Sequence, residues 1–190
     1  MIKPFSEFIL EKKKNHNTAG VAILYSGKIL LVHPANGSWV KPIMGIPKGQ
    51  IEEGEDLMQA ALRELSEETG ITLTPDQLHP DVNTVDVFNK DGKYVNSLHY
   101  FVCSIADLSE IGLDSINIPK SQLQKEEVDW AGFIEVKAAY PKVSRSQLII
   151  LDRLDSKVYC NNCPWSWDKA DSGKEDLYNC HKCGNDNNKS

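Results

Sequence analysis

The segment at positions 49–71 reads GQIEEGEDLMQAALRELSEETGI and predicts a loop followed by an amphipathic helix. Its apolar residues recur at steps of three and four, which is the period of one helix face. The residues of this face are Leu57, Ala61, Leu62 and Leu65. Gly70 follows them and is suited to end a helix in the left-handed conformation. We therefore predict a helix over residues 55–69.

Three acidic residues of this helix, Glu64, Glu67 and Glu68, lie at offsets of three and four. Their carboxylates therefore share one face and are within reach of one another. Neighbouring anions repel, and the helix macrodipole adds to the repulsion near the C-terminal end. Arg63 offsets one charge at most, and hard divalent cations such as Mg2+ or Mn2+ would complement the rest. The alternative interpretation is a solvated acidic helix face.

The sequence around these glutamates favours the metal site. It resembles the Nudix box, which has the pattern G-x5-E-x7-R-E-U-x-E-E-x-G-U with U aliphatic. Every fixed position is matched, from Gly49 to Ile71. The resemblance implies a Nudix hydrolase, which cuts a pyrophosphate linkage in a nucleoside diphosphate-linked substrate. It covers residues 18–156, although only the box itself is highly specific.

The resemblance also implies a role for each charged residue of the box. The residues that would bind the catalytic Mg2+ or Mn2+ are Glu64, Glu67 and Glu68. Arg63 and Glu55 would orient these carboxylates through ion pairs, and the backbone carbonyl of Gly49 would complete the coordination of a metal. A water activated by the metals would attack phosphorus. The base stays open between Glu64, Glu67 and a carboxylate outside the box, for which Glu126 and Glu127 are candidates; surface acids are the alternative for both.

The flanking sequence predicts strands at 20–25, 28–32, 82–89, 95–105 and 128–133, with turns at Ser26-Gly27 and Asp91-Gly92. A second helix is predicted over 144–155 with Ser144 as its N-cap. These elements indicate an α/β fold, and the resemblance implies a Nudix α/β/α sandwich around a mixed sheet. We divide the chain into an N-terminal extension at 1–16, a hydrolase domain at 17–157 and a zinc-ribbon-like tail at 158–190.

The tail contains two C-x2-C pairs separated by 16 residues, which is a zinc-ribbon spacing. The four expected Zn2+ ligands are Cys160, Cys163, Cys180 and Cys183. Two disulfides are the alternative, but no secretory signal supports it. His181 is a competing ligand, and Trp165 and Trp167 are expected to pack on the hydrolase domain or to meet a partner. Such a closed site would be structural.

Substrate choice depends on residues outside the box. Lys48 precedes the box where many members have glycine, which resembles the dinucleoside polyphosphate and diphosphoinositol polyphosphate branches. Phe88 is a candidate for stacking on a base, with a core position as the favoured alternative. A proline typical of ADP-ribose hydrolases and the S-Q-P-W motif of NADH pyrophosphatases are absent. We expect a nucleotide polyphosphate, such as a dinucleoside polyphosphate. His33, Trp39 and His99 are assigned no role, since pocket and structural positions are equally open.

Composition bounds the remaining possibilities. The chain has 190 residues and a formal net charge of -6, which argues against bulk nucleic-acid binding but not against a small anionic substrate. No apolar run suggests a membrane span or a signal peptide, so we expect a reducing cytoplasm. We expect a packing role for Cys103, because free cysteine is commonly buried. Two competing functions stay open: a catalytically idle nucleotide sensor with a partner-binding ribbon, and an RNA 5′-end pyrophosphohydrolase. The oligomeric state stays open as well.

Overall fold

The structure, a computed structural model, describes residues 17–173 and 176–188. The predicted N-terminal extension at 1–16 lies outside the described residues, so this part of the domain division stays a prediction. Within the described ranges, no helix has both the length and the apolar character that crossing a membrane would require.

A six-stranded mixed sheet forms the centre of the fold. Its strands are β1 Thr18–Tyr25, β2 Lys28–Pro34, β3 Lys48–Gln50, β4 Asn83–Phe88, β5 Tyr94–Ile105 and β6 Val128–Glu135. The strand order is β4-β5-β1-β2-β6, and β3 pairs with β1 beside this path. The β1–β5 pair is parallel, whereas the other pairs are antiparallel. This arrangement confirms the predicted mixed sheet.

One long helix packs on each face of the sheet, and a short helix directly follows β6. The helices are α1 Leu57–Thr69, α2 Val136–Ala139 and α3 Arg145–Ser156. Successive side chains of a strand point to opposite faces, so Val21 joins a core with Leu65 of α1, and Ala22 joins a second core with Ile150 of α3. Full burial of a side chain such as Leu65 stabilises the fold by about 1.5–3 kcal/mol. The α/β/α sandwich is confirmed.

Local capping fixes both ends of α1. Asp56 is the N-cap, and its side chain accepts hydrogen bonds from the backbone N–H groups of Met58 and Gln59. The Gln59 side chain returns a hydrogen bond by accepting from the Asp56 N–H at 3.1 Å, which completes a capping box. Gly70 ends the helix with φ 72°, as predicted. The helix itself begins two residues later than the predicted position 55.

The sequence predicts the β1–β2 hairpin but not the short strand β3. The predicted hairpin between β1 and β2 is confirmed, with Ser26 at φ 45° and Gly27 at φ 73°. Two positive φ values in a two-residue loop match the twist of adjacent strands. Strand β3 was not predicted, because three residues carry no periodicity. It exists through pairing with β1, where Gly20 lies opposite Lys48.

The C-terminal tail begins with a two-stranded antiparallel sheet, β7 Lys157–Tyr159 and β8 Ser166–Asp168. Tyr159 is 8% exposed and belongs to the core beneath α3. Its ring lies 5.0 Å from the ring of His79 in an edge-to-face arrangement. Burial lowers the pKa of His79, and the backbone groups of Cys160 and Pro164 partly offset this effect. The start of the tail is therefore docked on the main domain through His79 and Tyr159.

Candidate active site and metal centres

Arg63 is the centre of an ion-pair network that joins α1 to the loop before it. Its Nε and Nη2 donate to the two carboxylate oxygens of Glu55 at 2.7 and 2.9 Å. Nη2 also donates to the backbone carbonyl of Gln50 at 2.9 Å. Nη1 donates to Glu64 at 2.8 Å and to Glu67 at 2.9 Å. A guanidinium has five N–H donors, so every donor of Arg63 is used.

The network strongly favours the charged forms of Glu55 and Arg63. Hydrogen bonds from Arg63, and then from the backbone of Glu52, lower the pKa of Glu55 to about 2. The carboxylate of Glu55 in turn raises the pKa of Arg63, although burial opposes this. A bidentate pair of this kind fixes orientation as well as charge. Glu55 and Arg63 therefore lie where the sequence predicts residues that orient the box carboxylates, and that role stays a prediction.

Glu64 and Glu68 are buried beside the first residues of the box. They are 7% and 6% exposed, respectively. Burial raises the pKa of Glu64, and it raises the pKa of Glu68 to about 8. The Glu68 carboxylate accepts a hydrogen bond from the Lys48 N–H at 3.2 Å. A Cβ atom at Gly49 would overlap the carboxylate of Glu64, so only glycine leaves room for it here.

Glu67 is placed differently from the other two glutamates of the trio. Its side chain is 48% exposed, whereas Glu64 and Glu68 are buried, although Glu64 and Glu67 accept from the same nitrogen of Arg63. Within residues 17–173 and 176–188, the oxygens of the three glutamates do not gather as closely as metal-ligating atoms would. The three glutamates therefore differ in burial, and their shared role as cation ligands stays a prediction.

The donor set fits a hard divalent cation. Buried carboxylates are costly unless they are paired, protonated or bound to metal. Glu68 has a backbone N–H and the nearby charge of Lys48, while Glu64 shares Arg63 with two other carboxylates. Carboxylate and carbonyl oxygens are the ligands that Mg2+ and Mn2+ prefer. The buried pair thus has the chemistry and the unmet charge of a cation site.

A cavity of about 410 Å3 adjoins Glu68. Its charged wall consists of Lys48, Glu68 and Glu127. Glu127 precedes β6 and disfavours ionisation of both Glu64 and Glu68, which places its carboxylate near theirs. Glu126, the other acid proposed from the sequence, is not part of this wall. The structure therefore distinguishes two neighbouring acids that the sequence left equivalent.

Phe88 is not a core residue. It ends β4, is 55% exposed and contacts the ring of Tyr94 at 6.1 Å across the hairpin. The favoured expectation of a core position is wrong, because the strand runs past the edge of the core at this point. The residues next to this pair, Val87 and Val95, line the cavity. A role of Phe88 in substrate binding stays a prediction.

Three other aromatic side chains have structural partners outside the cavity wall. His33 is fully buried and hydrogen-bonds through Nδ1 to Asp129 at 2.7 Å. Trp39 stacks on His33 at 4.0 Å and donates to the other oxygen of Asp129 at 2.9 Å. His99 pairs with Thr84 at 2.9 Å on the neighbouring strand. These contacts account for all three residues without a substrate.

The cavity also contains polar residues that the sequence analysis did not single out. Ser146 and Gln147, in the first turn of α3, line it together with the N-cap Ser144. Gln147 is 4% exposed. The only sequence signal was a polar residue among the apolar positions of a helix, which is too common to predict a site.

The four tail cysteines form one compact group. Their sulfur atoms all lie within 4.8 Å of one another, and the Cys160–Cys183 and Cys163–Cys180 distances are both 3.7 Å. A tetrahedral centre with Zn–S bonds of about 2.3 Å requires sulfurs about 3.8 Å apart. A disulfide requires about 2.05 Å. All of these cysteines are free, so the disulfide alternative is wrong and the geometry fits a four-thiolate metal site.

The aromatic residues of the tail pack within the tail itself. Trp167 donates to the Leu177 carbonyl at 3.0 Å and contacts the ring of His181 at 6.4 Å. Lys182 lies 5.3 Å above the ring of Trp165. His181 is exposed and is not part of the sulfur group. The competing ligand role for His181 is therefore not supported by its position.

Cys103, the fifth cysteine, is a core residue as expected. It is 1% exposed and lies in the core beneath α1. Burial raises its pKa to about 12.

A second cavity, of about 440 Å3, lies at the other end of the sheet between the main domain and the tail. Tyr25 and Lys28 line one side, and Tyr159 and Tyr178 line the other. It contains none of the box glutamates. Its two carboxylates, Glu135 and Asp155, are both exposed and pair with Lys28 and Lys169, so they do not form a buried acidic pair like Glu64 and Glu68.

Two curated relatives share part of the chain. A methanol dehydrogenase activator of Bacillus methanolicus is 46% identical over 52 residues, which is 27% of this chain and 28% of the relative. An ADP-ribose pyrophosphatase of Bacillus subtilis (strain 168) is 43% identical over 54 residues, or 28% of this chain and 29% of the relative. The chain therefore matches these relatives over less than a third of their length.

A solved structure supports the fold over a longer span. An Ap4A hydrolase of C. elegans in a binary complex superposes with a TM-score of 0.53 and 24% identity. The match covers 74% of this chain and 95% of the hydrolase. The family model described as NUDIX domain matches residues 14–152, which is most of the chain and includes the whole box. The chain belongs to the NUDIX domain family.

Proposed function

We propose that the chain hydrolyses a pyrophosphate bond in a nucleoside diphosphate-linked substrate, using Mg2+ or Mn2+. The observation that carries this proposal is the buried pair Glu64 and Glu68, of which Glu68 lines a cavity of about 410 Å3 together with the extra carboxylate of Glu127. Two buried carboxylates beside a third, with Arg63 already committed to its neighbours, are a costly arrangement for a purely structural role. Family membership supports the same reaction class.

The residues that would hold the cations are Glu64, Glu67 and Glu68, together with the backbone carbonyl of Gly49. When bound, the cations neutralise phosphate charge and make a nearby water more acidic. Arg63 and Glu55 hold the box loop against α1 so that these ligands keep their positions. Lys48 binds a phosphate oxygen at the cavity wall, since its charge lies beside Glu68.

We assign the proton acceptor to Glu127. It lines the cavity and is near both buried glutamates, yet it is itself exposed, so its carboxylate is free to reach a water above them. The proton of the attacking water passes to Glu127 as the P–O bond forms, and the opposite P–O bond breaks to release the second phosphate product. Glu126 has no such position.

The substrate class follows from chemistry shared by two similar proteins. One relative is an ADP-ribose pyrophosphatase and one structural neighbour is an Ap4A hydrolase. Both substrates contain adenosine joined to a chain of phosphates. We propose a substrate of this class and retain a dinucleoside polyphosphate as the specific candidate, because Lys48 adds a cation beside the phosphate path.

The tail is proposed to hold one structural Zn2+ through its four cysteines. Such a site is closed, so it contributes to folding and leaves no position for substrate. Thiolate ligands persist in a reducing compartment, which supports a cytoplasmic location.

Hydrolysis of a substrate panel tests the proposed reaction. The panel includes dinucleoside polyphosphates, ADP-ribose, nucleoside triphosphates, NADH and RNA with 5′-triphosphate or capped ends, each with Mg2+, Mn2+ or EDTA, and products are identified by mass. We expect cation-dependent cleavage of a P–O–P bond in at least one adenosine-containing substrate. Tight nucleotide binding without turnover would instead support an idle sensor, and preference for RNA would support the 5′-end alternative.

A further inference from the structure

The start of α3 forms one part of the cavity wall, and this part carries no charged side chain. Ser144, Ser146 and Gln147 line this part, and the charged residues Lys48, Glu68 and Glu127 line the same cavity. Much of the remaining wall is apolar and includes Val32, Ile43, Met44, Ile46, Val87 and Leu98, with Thr18 and Asn96 as polar exceptions. A ligand that fills the cavity therefore meets charged, neutral polar and apolar groups.

Gln147 is oriented by a single backbone contact. Its Oε1 accepts a hydrogen bond from the Ile46 N–H at 3.1 Å. A donor facing this atom requires oxygen there, so the amide nitrogen must be the other terminal atom. The amide also lies against Gly45, where an added Cβ would come within 3.3 Å of it. The side chain is thus held in one orientation by its surroundings.

The amide nitrogen of Gln147 has no protein acceptor within residues 17–173 and 176–188. The residue is nevertheless 96% buried, since its exposure is 4%. Among the described residues, the fully enclosed side-chain atoms that lack a partner do not include this nitrogen, so it keeps contact with the cavity. Because the residue lines the cavity, the unpaired donor is available to a ligand.

The helix terminus adds further donors at the same place. The N–H groups in the first turn of a helix lack intrahelical acceptors, and the Ser144 side chain does not cap them. Instead, the Ser144 and Ser146 hydroxyls lie 3.1 Å apart and bond to each other. This part of the cavity wall therefore favours hydrogen-bond acceptors.

We infer that the start of α3 is a nucleobase subsite in which the Gln147 amide donates to a ring nitrogen or carbonyl oxygen of the base. A flat, largely apolar ring with acceptors on its edge matches the apolar wall and the donors at the start of α3. A neutral buried amide is also better suited to a neutral base than to a phosphate dianion, because a buried dianion needs positive charges to compensate it. The inference rests on the proposed function for its ligand class and extends it to the residue that selects the base.

Nucleotide binding tests this inference without any turnover. The tightest binder among AMP, GMP, CMP and UMP is compared with ribose 5-phosphate, which lacks a base, by calorimetry in Mg2+. We expect the nucleotide to bind more tightly to the wild type. Gln147→Glu keeps the acceptor for Ile46 but replaces the amide donor with an oxygen, so nucleotide affinity should fall about tenfold or more. The affinity for ribose 5-phosphate should change far less.

Gln59→Glu is the matched control. Gln59 also accepts a backbone N–H at 3.1 Å, from Asp56, and it is exposed on α1 outside the cavity wall. The substitution adds the same charge, and we expect nucleotide affinity to stay at the wild-type value. Equal losses in both variants, or no advantage of nucleotides over ribose 5-phosphate in the wild type, would overturn the inference.

If Gln147→Glu does not fold, a measurement on the wild-type protein still tests the inference. The side-chain amide resonance of Gln147 should shift on titration with the nucleotide and stay in place with ribose 5-phosphate; an unmoved resonance overturns the inference. The two proposals also fail separately. Nucleotide binding through Gln147 without hydrolysis would refute the proposed reaction alone. Hydrolysis with unchanged nucleotide binding in Gln147→Glu would refute the subsite alone.

Discussion

Replacing Gly49 with alanine should greatly reduce turnover while leaving the fold intact. The added Cβ would overlap the carbon and both oxygens of the Glu64 carboxylate. The backbone at Gly49 does not adopt the left-handed conformation that would itself disfavour alanine. The effect therefore comes from displacement of Glu64 and not from backbone strain.

The size of the effect follows from how far Glu64 must move. To regain ordinary van der Waals contact, its carboxylate has to retreat by more than about 1 Å. A displacement of this size at a catalytic centre costs roughly 100-fold in rate. Overpacking of the same buried site costs about 1–3 kcal/mol in the free energy of unfolding. At about 2–4 °C per kcal/mol for a domain of this size, the melting temperature should fall by about 2–12 °C.

The assay combines turnover, Mn2+ binding and thermal unfolding. Turnover is measured on the best substrate of the panel, and Mn2+ binding is followed by electron paramagnetic resonance, which reports on the site without turnover. Gly173→Ala is the control, because an added Cβ there meets no atom within 4 Å. The control should change stability by less than about 0.5 kcal/mol. Wild-type turnover and Mn2+ affinity in Gly49→Ala would refute the placement of Glu64 at the cation site.

Three further substitutions test single side chains. Glu67→Gln preserves the shape of a half-exposed residue, so turnover should fall by roughly 100-fold or more while the melting temperature changes little; substantial Mg2+-dependent activity would exclude its role. Glu127→Gln should lower kcat by roughly 10²–10⁴-fold, whereas Glu126→Gln should leave kcat nearly unchanged, and a reversed order would reject Glu127 as the proton acceptor. Cys183→Ser should remove the single zinc per chain, measured by elemental analysis, and lower the melting temperature; a folded wild-type chain without zinc would contradict this.

The helix of the box shows what local sequence can and cannot predict. Its capping, its end at Gly70 and its apolar face all follow from residues within one or two turns. The different burial of Glu67 does not. At 100° per residue, Glu68 lies about 40° from Glu64 on one side of the helix and Glu67 about 60° away on the other. Which side meets the protein interior depends on the packing of the whole sheet.

Contacts between distant parts of the chain account for the other features that the sequence did not predict. Strand β3 exists only because β1 is there to pair with it, and the orientation of Gln147 depends on Ile46, 101 positions earlier. Neither partner leaves a periodic signal in the sequence. The cysteine group is the opposite case. Two pairs at a metal-binding spacing suffice to predict it, because coordination geometry restricts the ligands more tightly than packing does.

The two cores of the sheet are completed at different points along the chain. The last residue of the core beneath α1 is Phe133, whereas the core beneath α3 also requires Tyr159. During synthesis from the N-terminus, one face of the sheet therefore stays partly exposed to solvent until Tyr159 has left the ribosome. The first pair of thiols follows at once. Shielding of that face and the start of the proposed zinc site consequently fall together, and until then the exposed sheet is prone to aggregate.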